Sequence, residues 1–226
     1  MTQMQQPRAR WCALLAAVLL AGGLSACVPL VVGGAAVGTM VVAVDRRTSG
    51  AQLEDEGIEL RASNQLFGMY GERAHVNVTS WNRQVLITGE VPSADDKRKV
   101  EDMVRGLENV KSVVNELAVG APSSLAVRSN DTFITGKVKA SFVDAQDLQS
   151  HAIKVLTERS VVYLMGRVTT REANRAGELA RSVSGVAKVV RVFEIISEEE
   201  LRQSQPKPAP SPAGNTQGTP LPPLGS

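Results

Sequence analysis

An internal repeat constrains the fold of this chain more than any other feature of its sequence. The segment 75–91 (HVNVTSWNRQVLITGEV) aligns with 152–168 (AIKVLTERSVVYLMGRV) at an offset of 77 residues. An apolar triplet with helical spacing recurs at an offset of 76, with Ile58, Ala62 and Leu66 matching Ile134, Val138 and Phe142. Because self-similarity at a fixed offset marks repeated structural units, we predict two copies of one small domain, at 55–119 and 131–196.

Both copies show the same order of secondary structure. A helix comes first, and we expect Asn130 or Asp131 to cap it in the second copy. Two β runs, a second amphipathic helix and a third β run follow. The order αββαβ predicts an α+β fold, in which each copy has a three-stranded mixed sheet with two helices on one face. Gly89 and Gly166 lie inside predicted strands and indicate a bulge or bend there.

Residues 1–26 have the features of a lipoprotein signal peptide. Arg8 and Arg10 precede a short apolar run, which ends in LSAC (24–27), and this ending resembles the lipobox of bacterial lipoproteins. The resemblance implies that cleavage leaves Cys27 as the first mature residue, acylated on its thiol and its amine. The alternative is an ordinary secretory signal cut before an unmodified Cys27.

The remaining segments connect or extend the two copies. We interpret 27–54 as a lipidated tether, since its residues 28–44 are apolar and end at a charged stretch. Residues 120–130 are predicted to be a linker between the domains. Residues 197–226 are predicted to form a disordered tail, because 7 of the 21 residues in 206–226 are proline.

No group of residues in the sequence points to catalysis. The formal net charge of +2 gives no indication of nucleic-acid binding. The two histidines, His75 and His151, have no accompanying nucleophile motif, and no nucleotide-binding or metal-binding motif is found. We therefore predict a protein that is not an enzyme and has no catalytic, cofactor or metal site.

The first helix of the second copy carries more apolar residues than one buried face requires. On a helical wheel, Ile134, Val138 and Phe142 form the core face, and a second apolar stripe lies outside it. The residues of this outer stripe and the lysines beside it are Phe133, Gly136, Lys137, Lys139, Ala140 and Val143. An apolar stripe bordered by lysines is typical of a helix that lies at an anionic membrane surface.

Charge differs between the two copies in a way that agrees with this interpretation. Residues 131–195 contain 10 Lys and Arg against 7 Asp and Glu, whereas 55–119 contain 8 against 11. Only the second copy is therefore suited electrostatically to an anionic surface. The alternative is that Phe133 and Val143 pack against the first copy, and the residues alone favour neither possibility.

The repeat resembles the BON domain. The resemblance rests on Gly89-Glu90-Val91 and Gly166-Arg167-Val168, and on the endings NVKSVVN (109–115) and GVAKVVR (185–191). Two such domains behind a lipobox resemble the dual-BON outer-membrane lipoproteins, over residues 24–196.

This resemblance has several functional implications. It implies a protein anchored through Cys27 in the inner leaflet of the outer membrane and facing the periplasm. It also implies binding of anionic phospholipid, phosphatidylglycerol or cardiolipin, through the outer stripe, and roles in outer-membrane integrity and at division sites. The alternative is a protein-interaction scaffold for the outer-membrane assembly machinery.

Overall fold

The structure is a computed structural model that describes residues 45–204. The predicted signal peptide, Cys27 and segment 205–226 lie outside the described residues.

The elements of the first domain are α1 (Ser49–Tyr70), β1 (His75–Trp81), β2 (Gln84–Val91), α2 (Ala94–Arg105), β3 (Ser112–Asn115) and β4 (Ala118–Val119). Those of the second are α3 (Leu125–Asp144), β5 (Ile153–Glu158), β6 (Val161–Val168), α4 (Thr170–Ser182) and β7 (Lys188–Ile195), followed by α5 (Glu198–Ser204). Single 3₁₀ turns at Gly71–Arg73 and Ser150–Ala152 lead into β1 and β5.

Each domain contains the mixed sheet that the sequence predicts. In the first domain β1 is antiparallel to β2, and β2 is parallel to β3. In the second domain β5, β6 and β7 are arranged in the same way. The short strand β4 also pairs with β2 and was not predicted. The αββαβ repeat and its α+β class are confirmed.

Several helix boundaries differ from the predicted ones. Helix α1 begins at Ser49 after the cap Thr48, inside the segment interpreted as tether. Helix α3 begins at Leu125, inside the predicted linker, because the Ser124 hydroxyl accepts a hydrogen bond from the backbone N–H of Val127. Helix α5 lies at the start of the segment predicted to be disordered.

The predicted cap at Asn130 or Asp131 is wrong, since both residues lie inside α3. Asp131 is buried, and its carboxylate accepts the backbone N–H groups of Arg159 and Ser160 at 2.7 and 2.8 Å. Both of these residues have positive φ, as the two central residues of a tight hairpin turn require. Asp131 therefore fixes the hairpin between β5 and β6.

The aligned residue of the first domain has the same role. The Asp55 carboxylate accepts the backbone N–H groups of Asn82 and Arg83, which form the turn between β1 and β2. Ser80 donates its hydroxyl to the same carboxylate. The repeat thus includes a buried aspartate that a local capping pattern does not reveal.

The helices and one face of each sheet enclose a separate apolar core in each domain. The first core contains Ile58, Ala62 and Leu66 of α1, packed against Val85 and Ile87 of β2. The second contains the corresponding residues of α3, which are Ile134, Val138 and Phe142, packed against Val162 and Leu164 of β6. The predicted core face of each first helix is therefore the face that the structure buries.

The glycines of the repeat lie where neighbouring strands approach closely. Gly89 has φ of +108°, and a Cβ atom there would lie 1.9 Å from the carbonyl oxygen of His75. At Gly166 the corresponding distance, to the carbonyl oxygen of Ala152, is 2.2 Å. A side chain at either position would overlap the adjacent backbone.

A third apolar cluster joins the two domains, and the sequence analysis did not predict it. The sheet faces that carry no helices pack on each other, and the buried side chains between them are Trp81, Leu86, Tyr163, Met165 and Val192. Burial, together with the nearby carboxylates of Glu116 and Glu158, raises the pKa of Tyr163 to about 12. Strands β2 and β6 are consequently covered on both faces.

Two consecutive arginines ahead of α1 each bind a different domain. The Arg46 guanidinium donates to both carboxylate oxygens of Glu172, in α4 of the second domain. The Arg47 guanidinium donates to Asp55 of the first domain and lies 3.8 Å from the ring centroid of Trp81. We call this pair the arginine clamp.

Candidate functional site

The outer face of α3 presents the predicted apolar stripe to solvent. The Phe133 side chain is 66 % exposed and the Val143 side chain is 69 % exposed. Gly136 and Ala140 lie between them on the same face and are exposed too. The alternative, that Phe133 and Val143 pack against the first domain, is contradicted, because the domains meet through their sheets.

The two lysines of the stripe have different environments. The Lys137 ammonium lies 4.9 Å from the centroid of the Phe133 ring and donates a hydrogen bond to the carbonyl oxygen of Ser184. This contact holds the cation beside an exposed aromatic ring. Lys139 is exposed on the other side of the stripe. The predicted site residues therefore form one continuous surface with a cation on each side.

A groove of about 200 Å³ lies beside this surface. Lys139 and Val143 line one side of it, and Ser150 and His151 line another. Its remaining lining is apolar and consists of Phe142, Ile153 and Val155. A cation therefore borders an apolar cleft, which is the arrangement that an amphiphile with a negatively charged head requires.

The sequence analysis missed one residue of this surface. Leu125 in the first turn of α3 is 78 % exposed, and it lies 18 residues, or five helical turns, before Val143 on the same side of the helix. Leu125 was omitted because the start of α3 was predicted too late in the chain, which assigned Leu125 to the linker.

The first domain carries an exposed apolar stripe of its own, which the sequence analysis also missed. Leu53, Leu60 and Phe67 recur every seven residues along α1, and each is more than half exposed. The surroundings are acidic, since α1 contains one arginine and four carboxylates, one of which is the buried Asp55. Helix α3 contains three basic residues and two acidic ones, one of which is the buried Asp131. The two stripes are therefore similar in shape and opposite in charge.

The two histidines lie in different places among the described residues. His151 is exposed and contacts the Ser150 hydroxyl, whereas His75 lies between the domains near Glu90 and Glu158. None of the helices in residues 45–204 is long and apolar enough to cross a membrane.

Comparison with known proteins agrees with the repeat and the fold. The family model described as "BON domain" matches residues 55–121 and 130–197, which together make up more than half of the chain. The chain belongs to the BON family.

The relatives define the type of BON protein. The chain is 38 % identical to the outer membrane lipoprotein DolP of Haemophilus influenzae over 176 residues, which cover 76 % of this chain and 90 % of that protein. It is 31 % identical to a 21 kDa hemolysin of Actinobacillus pleuropneumoniae, over 68 % of this chain and 80 % of the relative. The chain also matches a solved structure of CdsD, a structural protein of the type III secretion system of Chlamydia trachomatis. The match covers 64 % of this chain and 95 % of the CdsD chain, with 12 % sequence identity and a TM-score of 0.27.

The predicted family and location are therefore confirmed. The chain is a BON lipoprotein of the DolP type, and this relationship supports an outer-membrane location through a lipid anchor. Membership of the BON family also points to a protein without enzymatic activity.

Proposed function

We propose that this lipoprotein binds anionic phospholipid through the outer face of α3. The observation that carries the proposal is the exposure of Phe133 and Val143 in one stripe with a lysine on each side. Apolar side chains of such a helix enter the headgroup region, and the ammonium groups meet lipid phosphates. Phosphatidylglycerol and cardiolipin are the anionic lipids that we expect to be bound.

Charge supports the second domain rather than the first as the lipid-binding unit. The α1 stripe has comparable apolar side chains, but the three carboxylates of its helix other than the buried Asp55 would be repelled by an anionic surface. The Lys137 and Lys139 ammonium groups of α3 would be attracted to the same surface, each contributing about 1 kcal/mol that weakens as salt is added.

The groove beside Val143 gives the proposed contact a second component. A phosphate near the Lys139 ammonium would leave the adjoining acyl carbons close to the apolar lining formed by Phe142, Ile153 and Val155. We infer that lipid binding of this kind supports outer-membrane integrity and enriches the protein where anionic lipid accumulates, including division sites. This last inference rests on the family resemblance.

Vesicle co-sedimentation tests the proposal. The fragment 45–204 contains every described element and lacks the lipid anchor, so that binding reports the folded domains alone. We expect it to sediment with vesicles of phosphatidylcholine and phosphatidylglycerol and to stay in solution with phosphatidylcholine alone. Phe133→Glu should abolish sedimentation, since a carboxylate opposes insertion among anionic headgroups.

The structure offers a matched control for this substitution. Phe67→Glu places the same charge on the equally exposed stripe of α1 and should leave sedimentation unchanged. Equal loss in both variants, or none in either, would contradict the assignment to α3. If the wild-type fragment binds neither kind of vesicle, α3 is more consistent with the alternative of docking a protein of the outer-membrane assembly machinery.

A further inference from the structure

Three potential metal ligands come together between the two domains, away from the outer face of α3. His75 of β1 and Glu90 of β2 belong to the first domain, and Glu158 of β5 belongs to the second. One ligand atom from each of the three lies within 4.8 Å of the other two. We propose that His75, Glu90 and Glu158 bind one divalent transition-metal ion, of the zinc type, at the domain interface.

The distances suit a shared ion without movement of the backbone. The His75 Nδ1 atom lies 3.2 Å from Oε2 of Glu90 and 3.5 Å from Oε1 of Glu158. Zinc bonds of about 2.0–2.2 Å in tetrahedral geometry place neighbouring ligand atoms about 3.3–3.6 Å apart. The two separations that involve His75 are therefore close to the edge length of a zinc tetrahedron, and the separation between the two carboxylates is within 4.8 Å.

Glu90 provides an independent reason for a cation at this place. Its side chain is 1 % exposed, and its Oε2 atom accepts the backbone N–H of Ser123. Among the described residues, no hydrogen-bond donor reaches its Oε1 atom. The Arg159 Nε atom lies 3.9 Å from that oxygen, on a side chain that is more than half exposed. A buried carboxylate oxygen without a close donor is costly, and a metal ion held by both oxygens of Glu90 would satisfy it.

The electrostatic environment of Glu158 also favours a cation. The Glu158 side chain is 11 % exposed and the Glu90 side chain is 1 % exposed. Both carboxylates face the same ring nitrogen of His75, at 3.5 and 3.2 Å. A dication between Glu90 and Glu158 would remove the repulsion between their negative charges.

A cavity of about 160 Å³ adjoins two of the three ligands, His75 and Glu158, and provides room for a fourth ligand. Its lining includes His75, Asn77, Glu158 and the hydroxyl-bearing Thr135 and Thr157. The Asn77 amide donates to Oε2 of Glu158 at 2.9 Å and so orients that carboxylate. Three protein ligands with an open fourth position are typical of zinc sites that retain a bound water.

The repeat indicates how many such sites the chain can hold. Arg167 aligns with Glu90, and Trp81 aligns with Glu158, so that the ligand set is not duplicated in the other half of the interface. Imidazole nitrogen favours zinc and similar metals over magnesium and calcium, which prefer oxygen ligands throughout. We therefore expect one zinc ion for each chain and weak binding of magnesium.

Calorimetric titration of the purified, chelator-treated full-length chain in detergent with zinc chloride tests this inference. We expect saturation at one ion for each chain, together with a rise in melting temperature that magnesium chloride does not reproduce. His75→Asn and Glu158→Gln should each weaken the affinity for zinc at least about a hundredfold, because each removes a direct ligand.

His151→Asn is the matched control, because it removes the other histidine of the chain, which is exposed and remote from the cluster. This variant should bind zinc as the wild type does. Thermal melting of each variant without metal shows whether the variant is folded. If one of the two ligand variants is unfolded, the zinc affinity of the other ligand variant tests the inference. Absence of zinc binding up to about 1 mM, equal binding in the ligand and control variants, or an equal effect of magnesium would overturn the inference.

Discussion

Arg46 and Glu172 form a buried ion pair with two hydrogen bonds, of 2.8 and 2.7 Å, although they are 126 residues apart in the chain. Both side chains are 3 % exposed. Glu172 also accepts the backbone N–H of Thr169 as part of the capping box of α4. The predicted tether is thereby fixed at Arg46 to the second domain.

Arg46→Ala should destabilise the folded chain by about 3–5 kcal/mol, because it leaves the Glu172 carboxylate buried without its partner. Urea denaturation of the fragment 45–204 measures this. Arg46→Lys should have an intermediate effect, since lysine restores the charge but not the two-pronged geometry. Arg202→Ala breaks an exposed pair with Glu199 and should cost less than about 1 kcal/mol. An equal effect of the Arg46 and Arg202 substitutions would show that burial of the pair is unimportant.

The same pair predicts a dependence of stability on pH. Burial alone would raise the pKa of Glu172, but the hydrogen bonds from Arg46 and from the Thr169 N–H outweigh it and leave the pKa lowered. A lowered pKa in the folded state stabilises the protein above the ordinary value of 4.5, and this contribution is lost as the pH falls through the folded pKa. Wild type should therefore lose stability below about pH 4.5 more steeply than Glu172→Gln.

Substitutions on opposite faces of α3 should separate surface effects from core effects. Phe133→Glu should change the free energy of unfolding by less than about 0.5 kcal/mol, because the side chain is largely exposed. Val138→Glu should unfold the second domain, since Val138 is fully buried and its replacement would place a carboxylate in the core without a partner. Circular dichroism during thermal melting distinguishes the two results. A large loss of stability in Phe133→Glu would show that this side chain is covered in solution.

Gly89→Ala should be strongly destabilising, because the added methyl group would overlap the carbonyl oxygen of His75. Gly136→Ala is the contrasting substitution, since a Cβ atom there meets no neighbouring atom within 4 Å. In the interior of α3 it should stabilise the chain by about 0.5–1 kcal/mol. Melting temperatures of the two variants would therefore move in opposite directions. A Gly89→Ala variant as stable as the wild type would show that β1 and β2 can separate without cost.

The second domain on its own, residues 124–204 with Glu172→Gln because Arg46 is absent, should fold cooperatively around its own core but melt below the fragment 45–204 that carries the same substitution. Separation uncovers Tyr163, Met165 and Val192. Each large apolar side chain exposed in this way costs about 1.5–3 kcal/mol. The isolated domain should also self-associate through the uncovered sheet, as analytical ultracentrifugation would detect, and Val192→Thr should reduce this. Equal melting temperatures for both fragments would contradict a stabilising role for the sheet interface.

The repeat and its helical periodicity were sufficient to predict the fold and the core face of each first helix. Ile58 and Ile134 are buried as expected, because burial of one helical stripe is determined by local spacing. The sequence contains a weaker indication that the two sheets pack on each other. The contiguous apolar run Val85-Leu86-Ile87 is typical of a strand buried on both faces, and alternation alone did not reveal it.

Other features depended on tertiary contacts and had no local signal. Asp131 has the residue type of a helix cap, but its carboxylate binds a turn nearly thirty residues further along the chain. The proposed metal ligands His75 and Glu158 lie in different domains, so that no spacing motif connects them. The outer stripe of α3 was predictable because its residues belong to one helix. Leu125 was not included, because it fell within the predicted linker.

The arginine clamp has a consequence for how the protein carries mechanical load. A force applied to the chain at Asp45 reaches Arg46 first, and therefore pulls on α4 of the second domain before it reaches Arg47 and α1 of the first. Without the clamp, tension would enter only at the first turn of α1 and could peel this helix away one turn at a time. With it, the two buried hydrogen bonds between Arg46 and Glu172 must break before tension reaches α1, so that the second domain bears a pull from the anchor first.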